Sequence, residues 1–349
     1  MSRTRLLLVS MYPLDAGAWG PTTRITHLRD ELARLVDLDV IDGDRARRRG
    51  RLWRYALSGR LRGLDGIYVE NSSTLPSESD LLFLALARLF GIPVLTYVRD
   101  AQYLFGEYYV ASGLKRRLAR GLFLPAVRLL RAVSSRTGYP SVGLARAVRD
   151  PSAEPLLLPP GSPAPVDVAR RSDAHTLLFV GGMQYPVHGL DLLVGAFERV
   201  RAEGHDLDVV CVSRPGEEPP EPRPAWLRVR HGESEEIREL LSGVLATVQP
   251  RRRSPYNDIA VPIKVMEYLA YGRPLLVTNC LEQAAIVRNA DAGIVVSDEV
   301  EAMADGLRRL ATAAPEQLDR WSANARAAAR AASWEDRARH IVDVIRGGT

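Results

Sequence analysis

Lysine is almost missing from this chain. Of 47 basic residues in 349, only Lys115 and Lys264 are lysines, so a retained lysine stands out against a background of arginine. Cysteine is nearly as scarce. Cys211 and Cys280 both sit in apolar, strand-like runs, which excludes a disulfide framework and points to reduced thiols. Long hydrophobic runs are lacking as well. The stretch from Leu81 to Tyr97 is broken by Arg88, Gly91 and Pro93 and reads as a helix, a turn and a strand, not a membrane span. The opening MSRTRLLLVS places arginines before an apolar run that is too short for a signal peptide, and a first buried strand is the better reading. There is no low-complexity tract, no His/Asp cluster with metal-ligand spacing and no recognisable RNA or DNA module. These absences predict a globular cytoplasmic protein that uses no metal and takes no nucleic acid as partner.

At 46% hydrophobic residues the chain can bury a sizeable core, but it is too long for one and suits two domains of about 150 to 170 residues. Strand Arg5 to Ser10 leads through a loop containing Gly17 and Gly20 into a helix with Ile25, Leu28, Leu32 and Leu35 at helical spacing. Strand-like runs follow at Leu38 to Ile41, Gly66 to Glu70, Pro93 to Val98 and Ala132 to Ser135. The second half repeats the theme, with a strand at Leu177 to Val180, a helix carrying Leu190, Leu193, Val194 and Phe197, and a strand at Leu207 to Val212. Such alternation predicts an α/β chain of two doubly wound, Rossmann-like domains with parallel sheets, facing a cleft. The Pro-rich stretch Pro159 to Asp173 holds the boundary, giving domains at 1–160 and 161–332 and a final helical segment at 333–349. Ligands in such sheets bind outside the carboxyl ends of the strands.

The densest chemistry lies in Pro250 to Asn279, PRRRSPYNDIAVPIKVMEYLAYGRPLLVTN. Val261 precedes a proline and is pushed toward extended backbone, while Pro262 suits the first helical position. The helix begins there and stops near Tyr271, because Gly272 suits a left-handed cap and Pro274 cannot continue the turn. PLLVT then forms a short buried strand. Lys264 and Glu267, three apart, share one helical face, and the helix start adds free N–H groups for an anion. An ammonium for phosphate and a carboxylate for hydroxyls suit the diphosphate and ribose of a nucleotide; the plain alternative is a surface ion pair.

VPIKVMEYLAYGRPLLVTN resembles the donor-binding signature of GT-B retaining glycosyltransferases of the large family 4 type, in the subgroup written P-x-K-x-x-E. LLFVGGM (177 to 183), LLLPPGSPAPVD (156 to 167), AGIVVSD (292 to 298) and SWEDRARHIVDVI (333 to 345) are similar to the family's first C-terminal-domain strand, interdomain segment, closing strand and final helix, which crosses back onto the first domain. The resemblance implies transfer of a sugar, with retention, from a nucleotide-sugar donor, UDP or GDP, to a saccharide or lipid-linked saccharide. The donor is a substrate, and no separate cofactor is implied. Lys264 and Glu267 would bind it with Arg251, Arg252 or Arg253, and backbone at Gly181, Gly182, Gly17 and Gly20 would approach its phosphates. Met183 and His188 stand where many relatives carry Arg and Lys, and Ile259, beside Asp258, stands where the commoner signature has a second glutamate. Arg99 and Asp100, at the end of strand PVLTYV, fall where relatives position the reacting sugar and acceptor. A nucleotide-sugar epimerase and a noncatalytic nucleotide-sugar-binding partner of another transferase are the competing readings.

Charge is unevenly spread. Residues 1 to 160 hold 24 basic and 15 acidic side chains, a net of +9, and the remainder holds 23 and 27, a net of −4. Arg45 to Arg62 contains eight arginines and no acid, with Trp53 and Tyr55 as candidate interfacial anchors. In Lys115 to Arg131, Arg117, Arg120, Arg128 and Arg131 fall on one helical face and Leu114, Leu118, Leu122 and Leu129 on another, with Pro125 between. Both tracts suit the anionic inner face of a membrane; the alternative is that the leucines pack on the sheet and the arginines are simply solvated.

Overall fold

The computed structural model describes residues 3–15, 20–71, 75–105, 113–182, 188–219, 221–232 and 234–348. Two compact units divide the chain: Met1–Gly161 with Ile259–Val261 and Trp334–Thr349, and Ser162–Asp258 with Pro262–Ser333.

In the first unit β1 (Arg5–Ser10), α1 (Gly20–Leu35), β2 (Asp37–Ile41), α2 (Arg45–Leu57), β3 (Gly66–Asn71), α3 (Glu78–Leu89), β4 (Val94–Val98), α4 (Gly113–Ala132), β5 (Arg136–Tyr139), α5 (Val142–Ala147) and β6 (Leu156–Leu157) follow one another. The sheet is parallel, in the order β2-β1-β3-β4-β5-β6. Alternate residues of β1 serve opposite faces: Leu6 and Leu8 join α1, while Leu7 and Val9 join α2 and α3. Being buried on both sides, the strand reads as one continuous apolar run.

The second unit runs β7 (Thr176–Val180), α6 (Leu190–Ala202), β8 (Asp208–Val212), β9 (Leu227–Arg230), α7 (Ser234–Leu240), β10 (Val244–Gln249), α8 (Ile263–Tyr271), β11 (Leu275–Thr278), α9 (Leu281–Ala290), β12 (Gly293–Val296), α10 (Val300–Ala311) and α11 (Pro315–Ala331). Its parallel sheet has the order β12-β11-β10-β7-β8-β9, the Rossmann order, so the direction of winding reverses between β7 and β10. In the first unit the reversal falls between β1 and β3. The last helix, α12 (Trp334–Ile345), belongs to the first unit, where Trp334, Ala338, Ile341 and Ile345 pack with Leu6, Tyr68 and α1.

One expected strand is displaced. Ala132 to Ser135 is not β5: α4 continues through Ala132, Val133 N–H still bonds to Leu129, and the strand starts at Arg136. The apolar pair Ala132–Val133 completes the helix's last turn, and the strand itself, RTGY, carries little hydrophobic signal.

Candidate functional site

Helix α8 starts and stops where its local chemistry dictates. Pro262, expected as the first helical residue, is instead the N-cap, so the helix starts one position later at Ile263, and Gly272 closes it in the left-handed region at φ 59°. No side chain caps the first turn and no acid stands in it, leaving its N–H groups and dipole toward an anion. Tyr268 is fully buried, and its hydroxyl accepts a 2.7 Å hydrogen bond from Val180 N–H. That bond fixes α8 against the last residue of β7. Lys264 Nζ lies 2.8 Å from Glu267 Oε2, with the ammonium about a third exposed and the carboxylate mostly covered. The two predicted donor residues therefore sit together on the first turns, as an ion pair.

The reversal between β7 and β10 brings polar groups to the carboxyl ends of neighbouring strands. Gly181 follows β7, Ser213 follows β8, Gln249 ends β10, Arg251 follows it, and Asn279 follows β11. Ser213 Oγ, Gln249 Oε1, Arg251 Nε and Asn279 Oδ1 are buried atoms with no hydrogen-bond partner among the described residues. Buried polar groups are ordinarily satisfied, so four such atoms along one edge make it a candidate surface for a ligand. Gly189, the left-handed N-cap of α6 at φ 76°, lets that helix start against the end of β10; a Cβ there would stand 1.8 Å from the Pro250 carbonyl oxygen.

The three arginines separate by function. Arg252 spends its guanidinium on Asp191 Oδ2, at 2.5 Å, and on the Asp298 carbonyl, at 2.9 Å. Arg253 is held by both oxygens of Asp258, at 3.2 and 2.6 Å. Arg251 has neither tie. Its backbone is pinned instead, since its carbonyl accepts from Thr278 Oγ1 at 2.5 Å and from the Cys280 thiol at 3.5 Å, while Asn257 Nδ2 donates to the Arg252 carbonyl. Asn257, Thr278 and Cys280 thus shape the loop, and so do Asp191 and Asp298. None of these is marked by the motif. Ser213, Gln249 and Asn279 could have been found by taking the first polar residue at the end of each apolar run.

The resemblance leads to the expectation of a cation where His188 stands. Burial, and then the charge of Arg251, push its imidazole down to about 4, so it is neutral near pH 7 and the positive charge at this edge comes from Arg251. Gly181 holds φ 145°, and Gly182 runs close to Glu217, whose Oε2 would lie 2.8 Å from a Cβ there. Neither Cys211 nor Cys280 forms a disulfide, and burial pushes these thiols up to about 12 and about 11. Among the described residues, no group of three or more His, Cys, Asp or Glu side chains is placed to hold a metal ion.

In the first unit, Arg99 Nη2 meets Asp100 Oδ2 at 3.0 Å, and Asp100 Oδ1 accepts from Gln102 N–H. The pair follows β4, one strand away from the reversal. Gly20 is the first residue of α1; Gly17 and Met183 lie outside the described residues. Ile259, at the second-acid position, belongs to the first unit, where its carbonyl accepts from Ser141 Oγ at 2.6 Å.

The two basic tracts come apart. In Arg45 to Arg62, Arg47, Arg48, Arg51 and Arg60 pair with Asp15, Asp80, Asp42 and Asp39. Tyr55 is no interfacial anchor, because it is buried with its hydroxyl 2.6 Å from Asp39 Oδ2. On α4 the core contacts are made by Phe123, Val127 and Leu130, while Leu114, Leu118, Leu122 and Leu129 are 71, 53, 53 and 54% exposed. The alternative reading, in which these leucines pack on the sheet, does not hold. Lys115, Arg116, Arg117, Arg120 and Arg128 have no salt bridge among the described residues. Among those residues no helix is long and apolar enough to cross a membrane.

Two parallel, doubly wound sheets, with a candidate ligand edge at the winding reversal of the second, define the architecture of GT-B glycosyltransferase structures. Residues 174–313 match the family model of glycosyl transferases group 1. The chain shares its fold with an α,α-trehalose-phosphate synthase (UDP-forming) from Burkholderia xenovorans in complex with glucose-6-phosphate (12% identity, 99% of this chain and 100% of that one, TM-score 0.65). It also shares it with the sucrose-phosphate synthase of Thermosynechococcus elongatus (14%, 99% and 99%, 0.67), and with Anabaena HepE in complex with UDP and glucose (12%, 97% and 98%, 0.64). No curated protein sequence matches it.

Proposed function

We propose that this chain is a retaining glycosyltransferase whose second unit holds a nucleotide-sugar donor, UDP- or GDP-linked, at the carboxyl edge between β7 and β10. The observation that carries this reading is the row of buried, unsatisfied polar atoms on Ser213, Gln249, Arg251 and Asn279, beside an uncapped helix start that bears Lys264 and Glu267. In this reading Glu267 takes the ribose hydroxyls. Lys264, Arg251 and the first N–H groups of α8 take the diphosphate and stabilise its charge as it departs. Donor binding exchanges the 2.8 Å Lys264–Glu267 pair for contacts with the ligand, so neither charge is left bare.

Retention needs no protein nucleophile, because the leaving diphosphate can accept the acceptor's proton on the face it vacates. The neutralising charges are side chains and a helix end rather than a metal. Arg99 and Asp100 are the acceptor-side candidates. For the acceptor we favour a lipid-linked saccharide of cell-envelope or polysaccharide assembly, which places the protein at the cytoplasmic face of a membrane. Support comes from α4, where four exposed leucines and five cations without carboxylate partners among the described residues share one helix, the combination that seats an amphipathic helix on anionic lipid. Saturable, metal-independent binding or slow hydrolysis of one nucleotide sugar, lost in Glu267→Ala, is the expected result of a donor screen. A folded protein that binds none would sink the reading, and release of an epimerised sugar with no acceptor present would replace it.

A further inference from the structure

A second set of unsatisfied donors lies in the first unit, on the face of the sheet that α1 and α12 cover. Arg24, on α1, is completely buried. Its Nε donates to Glu70 Oε1 at 3.2 Å, its Nη2 to the Tyr68 hydroxyl at 3.3 Å, and its guanidinium carbon sits 3.8 Å from the centre of the Tyr97 ring. Its Nη1 is buried with no acceptor among the described residues. The Trp334 ring stands 5.9 Å from the same guanidinium, and its Nε1 is likewise buried with no acceptor. Arg337, one helical turn further along α12, adds a third such donor in its Nε.

Charge around these donors is lopsided. Glu70 is the carboxylate paired with Arg24. Arg337 has no carboxylate within ion-pair distance among the described residues, and the neighbouring Asp336 lies 3.7 Å from Arg339. Burial, and then the nearby charge of Arg24, hold the Arg337 guanidinium below its ordinary range. Within the cluster two guanidiniums meet one buried carboxylate, and Asp336, which also acts on Arg337, is exposed and lies near Arg339, so positive charge is in surplus where water is scarce, an arrangement that a bound anion would relieve. Arg337 is only half-buried and opens the cluster to solvent.

We propose that Arg24, Trp334 and Arg337 bind one small oxyanion of the phosphate type, with the two guanidiniums and the indole N–H as donors. Glu70 and Tyr97 hold Arg24 in place for it. The site lies beside β3, one of the two strands at the first unit's winding reversal, and it is independent of the donor edge in the second unit.

Calorimetric titration of the full chain with inorganic phosphate tests the proposal, using Arg251→Gln as the background so that the donor edge contributes little. Saturable binding is expected, with Kd rising about tenfold or more in Arg337→Gln and in Trp334→Phe, which keeps the ring and loses the N–H. Replacing phosphate by a hexose 6-phosphate separates the sources: tighter binding assigns the site to a phosphorylated saccharide, and equal binding to the free ion. Unchanged affinity in both variants, or no saturation in the background protein, would overturn the proposal and leave water as the partner of these donors. Nucleotide-sugar binding is scored separately, so failure here leaves the donor reading standing.

Discussion

The two units weight their buried polar groups differently: both hold buried polar atoms without partners among the described residues, but the fully buried ion pairs lie in the first. In the first, most buried or half-buried cations meet a carboxylate: Arg48 forms a two-pronged contact with Asp80 at 2.7 and 2.7 Å, Arg24 meets Glu70, and Arg51 meets Asp42. In the second, polar atoms at the strand ends are left unsatisfied along one edge. Matched charges lock a structure, because removing one partner strands the other without solvent. Unmatched ones are tolerated where a ligand completes them. On the proposed reading, the matched pairs hold the fold and the unmatched edge of the second unit awaits a substrate.

Substitutions can break that comparison, and the largest effect belongs to the buried pair. Asp80 accepts from Arg48 and also caps α3 through Ser77. Burial pushes the Asp80 carboxyl up, but Arg48 and Ser77 outweigh it and hold it below its ordinary range. Arg48→Ala should cost about 3 to 5 kcal/mol of unfolding free energy in urea titrations. Arg47→Gln, on the exposed pair with Asp15, should cost nothing measurable; equal losses in the two would erase the distinction within the tract.

In the second unit, Arg251→Gln and Glu267→Ala should each weaken donor binding by about tenfold to a hundredfold, with stability changed by less than about 0.5 kcal/mol. Lys264→Ala should lower turnover more than affinity, since its charge matters most as the diphosphate departs. On α4, Leu118→Glu with Leu122→Glu should abolish sedimentation with phosphatidylserine vesicles while leaving donor binding intact. Retained sedimentation would assign lipid contact elsewhere.

The smallest effect is a pH dependence. With its folded value near 4 against an ordinary 6.5, His188 binds fewer protons folded than unfolded, so stability should fall as pH drops from about 6.5 toward 4 and stay level above that. The loss at the low end should be about 1 to 2 kcal/mol after allowance for partial exposure. It should shrink in Arg251→Gln, because Arg251 is the second cause of the shift.

Where structure followed from local chemistry, it was legible in the sequence. Pro262, Gly272 and Pro274 bracket α8 to within a residue, and β1, β11 and β12 stand out as apolar runs. The Lys264–Glu267 pair followed from helical spacing. Distant partners were not legible. Arg45 to Arg62 looks like free positive charge because the acids that neutralise it, Asp15, Asp39, Asp42 and Asp80, lie outside the tract. The choice among Arg251, Arg252 and Arg253 depends on Asp258 in the same loop and on Asp191 and Asp298, which only the fold brings near. The leucines of α4 show the same limit: periodicity separates them from the arginines, but it cannot say that Phe123, Val127 and Leu130 take the core side.

The central claim is that the carboxyl edge of the second sheet binds a nucleotide sugar. Titrating the purified chain with UDP- and GDP-sugars in the absence of divalent metal, alongside Glu267→Ala and Arg251→Gln, tests it most directly. Saturable binding of one donor, weakened at least about tenfold in both variants without loss of fold, is the predicted result; undiminished binding in both, or none in the parent protein, would contradict it.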